Sequence, residues 1–165
     1  MKLGVIINLT ENVRADFEKI KEIGINTCQL CCWNLELMTD ETAERMNKLL
    51  SELGMEITAF WCGWSGPAIW DFKSGPNTLG LVPVEYRFIR MKELVNGLDF
   101  AKKIGVSDVV THAGFIPENP SSSEYLGLIE VIRFIANHAK DNGQNFLFET
   151  GQETPVTLLR LIGDV

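Results

Sequence analysis

The sequence predicts an α/β fold built on a parallel sheet. Short runs rich in Ile, Val, Leu and Phe alternate with segments of helical periodicity, which is the pattern of repeated βα units. Five such units follow one another at a spacing of roughly 30 residues. The composition, 45% hydrophobic and 22% charged over 165 residues, indicates one globular domain that buries roughly 70% of its unfolded surface.

Apolar runs and glycine stops place the first units. Strands are predicted at residues 3–9, 26–33 and 56–62. Thr39 and Asp40 are N-cap candidates for the second helix. The apolar stripes and stops of the two helices are Val13, Phe17 and Ile20 before Gly24, and Ala43, Met46, Leu49, Leu50 and Leu53 before Gly54.

The later units have helix boundaries of the same kind. Strands are predicted at 108–114 and 145–150, and Ser121-x-x-Glu124 is typical of a capping box that opens the fourth helix over 125–139. That helix ends at Asn142-Gly143. The third helix is expected to face inward with Phe88, Met91, Leu94, Val95, Leu98, Ala101 and Ile104, and to stop at Gly105.

The segment 63–85 between the third strand and the third helix has no clear period. It contains glycines, prolines and two tryptophans, Trp64 and Trp70, and it is far longer than a usual βα loop. Long loops of compact domains are often lids or binding loops, although a poorly ordered insertion has the same composition.

Glu149 ends an apolar strand, just before a helix start at Thr154 and Pro155. A carboxylate at the exit of a buried strand is costly unless a cation or a hydrogen-bond donor receives it. In parallel α/β folds the chemistry is assembled at this end of the strands. Glu149 is therefore the first candidate for a functional residue.

Charge and hydropathy exclude two classes of partner. The net charge of −7 and the absence of a basic stripe argue against nucleic acid, because binding to phosphates needs clustered Lys and Arg. No apolar run reaches the ~20 residues of a membrane span, and no signal peptide precedes the first strand. We expect no membrane partner and a cytoplasmic protein.

Four cysteines, Cys28, Cys31, Cys32 and Cys62, lie in strand-like apolar runs. Cys28 and Cys31 have the spacing of a redox or zinc motif, but on a strand Cys31 faces away from Cys28 and Cys32. Buried free thiols in a reducing compartment are the favoured interpretation.

Several short motifs together resemble the xylose isomerase-like TIM-barrel superfamily of sugar and sugar-phosphate isomerases and epimerases. They are Leu147 to Pro155 on strand five, Thr111-His112-Ala113-Gly114 on strand four, and the turns Gly24-Ile25-Asn26 and Gly105-Val106. The resemblance spans the whole chain. It implies that the chain forms the first five βα units of an eight-unit barrel, which takes ~250 residues when complete.

The resemblance also implies a divalent metal, Mn²⁺, Mg²⁺, Co²⁺ or Zn²⁺, at the C-terminal face of the barrel. Glu149 matches the strand-five ligand, and the other three ligands would lie beyond Val165. The ligand set in this chain is thus expected to be incomplete, and so is the domain. A hard ion of this kind polarises carbonyl and hydroxyl oxygens, while a carboxylate beside the sugar carbon acts as ligand, base or both.

The remaining candidates line the same strand ends. His112 can bind metal or a sugar oxygen, or simply be hydrogen-bonded in place, whereas His138 is expected to be a surface residue near a helix C-terminus. Substrate contacts are predicted for Trp33 and Trp61, because indole faces pack on sugar C–H groups, and more weakly for Asn8 and Gln152. Glu153 either contacts substrate or stabilises a helix N-terminus, and the second role is favoured.

Two alternatives to a metal-dependent isomerase or epimerase stay open. One is a non-catalytic half-barrel that pairs with another copy or a partner, because an uncovered edge strand promotes association. A homo-oligomer is expected on the same ground. The other is an endonuclease-IV-like nuclease, which is disfavoured by two histidines and an acidic chain.

Overall fold

A computed structural model describes residues 3–165 as five parallel strands that alternate with five α-helices. The strands are β1 (Val5–Asn8), β2 (Thr27–Cys32), β3 (Glu56–Cys62), β4 (Asp108–His112) and β5 (Asn145–Glu149). The helices are α1 (Val13–Glu22), α2 (Asp40–Leu53), α3 (Val84–Lys103), α4 (Ser123–Asp141) and α5 (Pro155–Asp164). None of the helices in this part of the chain is both long and apolar enough to cross a membrane.

The strands lie in the order β1-β2-β3-β4-β5, each parallel to the next. A doubly wound sheet reverses its strand order at a switch point, whereas a βα barrel adds strands in sequence. The observed order is therefore that of a barrel wall. It confirms the predicted α/β class and the five predicted units.

The two faces of the sheet have different surroundings. Side chains such as Cys28, Leu30 and Phe60 point toward the helices and form the main core with the apolar stripes of α1 to α5. Cys31 and Trp61 point to the other face, where they form a small second cluster. Cys31 thus points away from Cys28 and Cys32, as predicted. All four cysteines are buried and form no disulfide.

Helix starts follow the expected capping chemistry with one exception. The hydroxyl oxygens of Thr39 and Thr154 accept hydrogen bonds from the N–H groups of Thr42 and Thr157, as predicted N-caps do. At α4 the prediction of Ser121 is wrong, because Ser122 is the N-cap and accepts from Tyr125 N. The Ser121 N–H instead donates to the Asn119 side chain in the preceding turn.

The predicted inward face of α3 is partly wrong. Leu94, Leu98 and Ala101 are buried as expected, but Phe88 is 64% exposed. Its place on the buried stripe is taken by Arg87 and Arg90, which lie two turns and one turn before Leu94. The helix therefore turns two cations inward at its N-terminal half, where it contacts the long loop rather than the sheet.

The strands are slightly shorter than predicted at β1, β2, β4 and β5, while β3 matches. Backbone pairing continues past the end of β1, since Leu9 N donates to Cys31 O at 2.7 Å. Leu3, which the prediction placed in the first strand, lies outside β1 and is exposed.

Close packing of α3 on β3 depends on Gly97. A Cβ atom added there would lie 2.2 Å from Cys62 Sγ, well inside van der Waals contact. We expect Gly97→Ala to lower the free energy of unfolding by about 1–3 kcal/mol through overpacking, measured by urea denaturation.

Gly163→Ala is the matched control, because a methyl group added at this helical glycine would meet only open space. The same substitution should there raise the free energy of unfolding by up to about 1 kcal/mol, through helix propensity. Equal effects at both positions would show that α3 does not need the close approach.

Candidate functional site

Glu149 and His112 lie side by side at the C-terminal ends of β5 and β4. They are paired residues in the parallel register of the two strands. Trp61, from β3, reaches across β4 and donates its indole N–H to Glu149 Oε2 at 2.6 Å. A charged acceptor makes this a strong hydrogen bond that orients the carboxylate.

His112 is only 2% exposed, and its ring orientation is set by the turn after β4. Nδ1 accepts a hydrogen bond from the Gly114 N–H at 2.9 Å. In the neutral ring Nε2 therefore carries the proton and is a donor. Burial lowers the pKa of His112, while Glu153, Gln152 and Glu149 raise it to a smaller extent.

Three polar atoms of this site are buried without a hydrogen-bond partner in residues 3–165. They are Nε2 of His112, Oε1 of Gln152 and Nε1 of Trp64. Gln152 lies close enough to influence the pKa of His112, but the two groups do not meet in hydrogen-bonding geometry. A buried donor and a nearby buried acceptor without partners are costly unless a ligand satisfies them.

Four tryptophans form a cluster over the same strand ends. The centroid distances of Trp33 are 4.8 Å to Trp61, 5.2 Å to Trp64 and 6.5 Å to Trp70. Trp61 and Trp64 are buried, so the faces open to a ligand belong to Trp33 and Trp70. Trp70 also stands edge-on to His112, with ring centroids 5.2 Å apart and planes at 89°.

The remaining predicted residues are less central. Asn8 is exposed on β1, at the opposite edge of the sheet from Glu149. Glu153 Oε1 accepts from Gly151 N at 3.3 Å, just before the cap of α5. His138 is half-buried and its Nε2 lies 2.7 Å from Asp99 Oδ1, so this side chain has a specific partner that the surface prediction did not foresee.

The thiols next to the site are not activated. Burial raises the pKa of Cys31, and the charge of Glu149 adds to the effect. Burial raises the pKa of Cys28 and of Cys32 to about 12. Thiols that stay protonated near neutral pH are poor nucleophiles, which agrees with a packing role.

One residue of the site escaped sequence reasoning. Arg90 supports the wall of the site, but it lies in a helix stripe that the sequence assigns to Phe88 and its neighbours. The available signal was the spacing of Arg87 and Arg90 to Leu94, which puts both cations on the buried side of a regular helix.

A divalent metal fits these residues only in part. Glu149 offers a carboxylate with one oxygen held by Trp61, which leaves Oε1 for an ion. Among residues 3–165 no group of three or more His, Cys, Asp or Glu side chains is arranged to hold a metal. Glu149 is thus suited to be one ligand of a site that needs further donors, and the metal itself stays a prediction.

Known proteins share this arrangement of strands. A xylose isomerase domain protein from Planctomyces limnophilus superposes with a TM-score of 0.90 at 30% identity, over 98% of this chain and 57% of that one. A D-tagatose 3-epimerase-like protein gives 0.73 at 20% identity, over 100% and 61%. The 3-keto-D-glucoside 4-epimerase YcjR from E. coli gives 0.67 at 18% identity, over 99% and 64%. Curated protein sequences give no match.

The chain spans less than two thirds of the length of these solved structures. Likeness at 20% identity or below shows the fold, and the sheet is accordingly part of a βα barrel. A sequence model of one family matches residues 17–165, which covers every strand except β1. The chain therefore belongs to the xylose isomerase-like TIM barrel family.

Proposed function

We propose that the protein is an isomerase or epimerase of a sugar or sugar phosphate, with Glu149 as one ligand of a divalent metal. The observation that carries the proposal is the pairing of Glu149 with His112 at adjacent strand ends, under exposed tryptophan faces. Similar structures include a D-psicose 3-epimerase in the presence of D-fructose and an L-ribulose 3-epimerase, which supports this reaction class.

The polar atoms suit a substrate hydroxyl. A hydroxyl group can accept from the Nε2–H of His112 and donate to Oε1 of Gln152, so that both buried groups gain the partner they lack. The faces of Trp33 and Trp70 can pack on the C–H side of the sugar ring. These contacts would orient the substrate and exclude water.

We assign the action on the reacting carbon to Glu149. Isomerisation or epimerisation requires either proton removal beside a carbonyl or a hydride shift, and both develop charge on oxygen. A bound divalent metal supplies the charge stabilisation at that oxygen. The Trp61 N–H orients the carboxylate of Glu149, which lowers the cost of holding it in place as a metal ligand or as a base.

A non-catalytic module remains the second candidate, because the inner face of the sheet is open. Ile6 on β1 is 68% exposed and Leu147 on β5 is 41% exposed, and both point to this inner face, on the side opposite the helices. Exposed apolar side chains on the two edge strands favour association. We infer a homo-oligomer on this ground, to be tested by light scattering during size-exclusion chromatography.

The proposed chemistry predicts the behaviour of Glu149→Gln. Sugar conversion is followed by NMR with Mn²⁺ and D-fructose, D-tagatose or D-psicose in D₂O, where deuterium gain beside the carbonyl separates proton removal from a hydride shift. We expect the variant to lose at least about 10³-fold in rate, since the charge and the metal ligand are removed together.

Glu130→Gln is the control for a lost carboxylate, because Glu130 is exposed on α4 and pairs with Arg133. Its rate should stay within about twofold of the parent. Equal conversion by Glu149→Gln and the parent would refute the role of Glu149. Absence of both conversion and calorimetric Mn²⁺ binding in the parent would refute the proposal for this chain.

Burial of neutral His112 predicts a pH dependence in the metal-free chain. Its pKa lies below the ordinary value of about 6.5, so between that pH and the folded pKa the unfolded chain binds a proton that the folded chain does not. The free energy of unfolding should therefore fall as the pH drops below about 6.5, by about 1.4 kcal/mol for each unit of pKa depression.

His138→Gln leaves one histidine in the chain, so its ring Cε1–H resonance reports His112 alone. An NMR titration of this variant should give a midpoint below about 6.5. A midpoint at or above that value would mean that His112 is not held neutral by its surroundings.

A further inference from the structure

Arg90 is the largest fully buried side chain, with an exposed fraction of 0%. Its guanidinium donates only to backbone carbonyls: Nη1 to Thr78 O at 2.8 Å and Gly80 O at 2.7 Å, Nη2 to Pro67 O at 2.9 Å, and Nε to Ser65 O at 3.2 Å. A planar fork with five N–H groups can serve all four carbonyls at once.

The cation is also compensated by its surroundings. Its Cζ lies 4.6 Å from the ring centroid of Tyr86 and 5.3 Å from that of Trp64, within range of cation–π attraction. The charge of Glu93 acts on it, and the Glu93 carboxylate accepts from Ser65 N at 3.0 Å. Carbonyl oxygens, aromatic rings and a nearby carboxylate thus offset the cost of burying the Arg90 cation, which has no direct ion pair.

The four carbonyls come from two separate places in the β3–α3 loop. Ser65 and Pro67 precede residues 68–77, which we name the Trp70 loop, and Thr78 and Gly80 follow it. The C-terminal side is also fixed to the barrel, because Leu81 N donates to Ala113 O at 2.8 Å, one residue after His112. One guanidinium therefore holds together both ends of the Trp70 loop.

Inside the Trp70 loop the chain supports itself. The carboxylate of Asp71 accepts from the N–H groups of Lys73 and Ser74. The hydroxyl of Thr78, the first residue after the loop, accepts from Ile69 N and donates to Ser74 O. A compact loop with adjoining ends is an Ω-loop, which moves as a unit when its ends are free. The position of Trp70 then depends on how its ends are held.

We propose that Arg90 is a positioning residue, whose guanidinium fixes both ends of the Trp70 loop and so holds the indole of Trp70 against His112. Trp70 gives the site one of its two exposed aromatic faces and covers the ring that carries the unpartnered Nε2. That the held indole contacts substrate rests on the proposed function, whereas the positioning itself does not.

Arg87 provides the matched comparison on the same helix. It is also buried, and its Nε and Nη2 donate to Leu81 O and Val82 O, with a longer contact from Nη2 to Glu124 O. Leu81 and Val82 follow the Trp70 loop and Glu124 lies on α4, so none of these partners belongs to the segment that precedes the loop. Arg87→Lys therefore damages a buried arginine site of equal chemistry but leaves the ends of the loop joined.

The test compares Arg90→Lys and Arg90→Gln with Arg87→Lys, because neither lysine nor glutamine has the planar fork of five donors that serves all four carbonyls. The ring current of Trp70 marks the His112 Cε1–H resonance, which NMR resolves because the chain has two histidines. Trp70→Ala gives the resonance position without the indole. We expect Arg90→Lys to shift the signal at least halfway to that position, and Arg87→Lys to leave it in place.

Trypsin gives an independent readout, since Lys73 is the single basic residue of the Trp70 loop and is exposed. Cleavage after Lys73, followed by mass spectrometry, should be about tenfold faster in the Arg90 variants than in Arg87→Lys. An unshifted His112 signal and unchanged cleavage in a folded Arg90 variant would overturn the proposal. Loss of far-UV circular dichroism in both Arg90 variants would also overturn it, because Arg90 would then support the fold as a whole.

Neither measurement uses catalysis, so the proposal and the proposed function fail separately. A shifted signal in a protein that converts no sugar would uphold the positioning role and refute the function. An unshifted signal in an enzyme that converts sugar would refute the positioning role and uphold the function.

Discussion

Packing of every helix on one face of the parallel sheet is the constraint from which the site follows. Apolar stripes on α1 to α5 bury the outward side chains of the strands, and each connection returns to start the next parallel strand. All strands therefore end at the same rim. Residues far apart in sequence, such as Trp61, His112 and Glu149, meet there without any local motif that joins them.

Buried polar groups at this rim are of two kinds, those with hydrogen-bond partners within the protein and those without. The guanidinium groups of Arg90 and Arg87 donate to loop carbonyls, and the indole N–H of Trp61 donates to the carboxylate of Glu149. These groups hold structure in place, because every bond is internal. His112 Nε2 and Gln152 Oε1 are not satisfied by described residues, and such exceptions tend to mark sites where a ligand completes the hydrogen bonding.

The fold was predictable from local patterns, whereas much of the site was not. Thr39, Thr154 and Gly54 are caps whose chemistry is contained in a few adjacent residues, so sequence suffices for them. The Trp61–Glu149 bond depends on the register of three strands, which spacing along the chain does not contain. The prediction that Phe88 faces inward is wrong because it rests on the hydrophobicity of the side chain. The helical spacing from Leu94 puts Arg87 and Arg90 on the buried side instead.

The open edge at β5 and the single carboxylate of Glu149 are linked by geometry. Beside β5 lies an apolar groove formed by Phe146, Phe148, Leu158 and Ile162, which is the kind of surface that a further βα unit covers. A strand paired in parallel with β5 would bring its own C-terminal end next to Glu149. Whatever covers this edge therefore also stands where the metal that we propose would take its further donors, so burial of the edge and completion of the proposed site are expected to occur together.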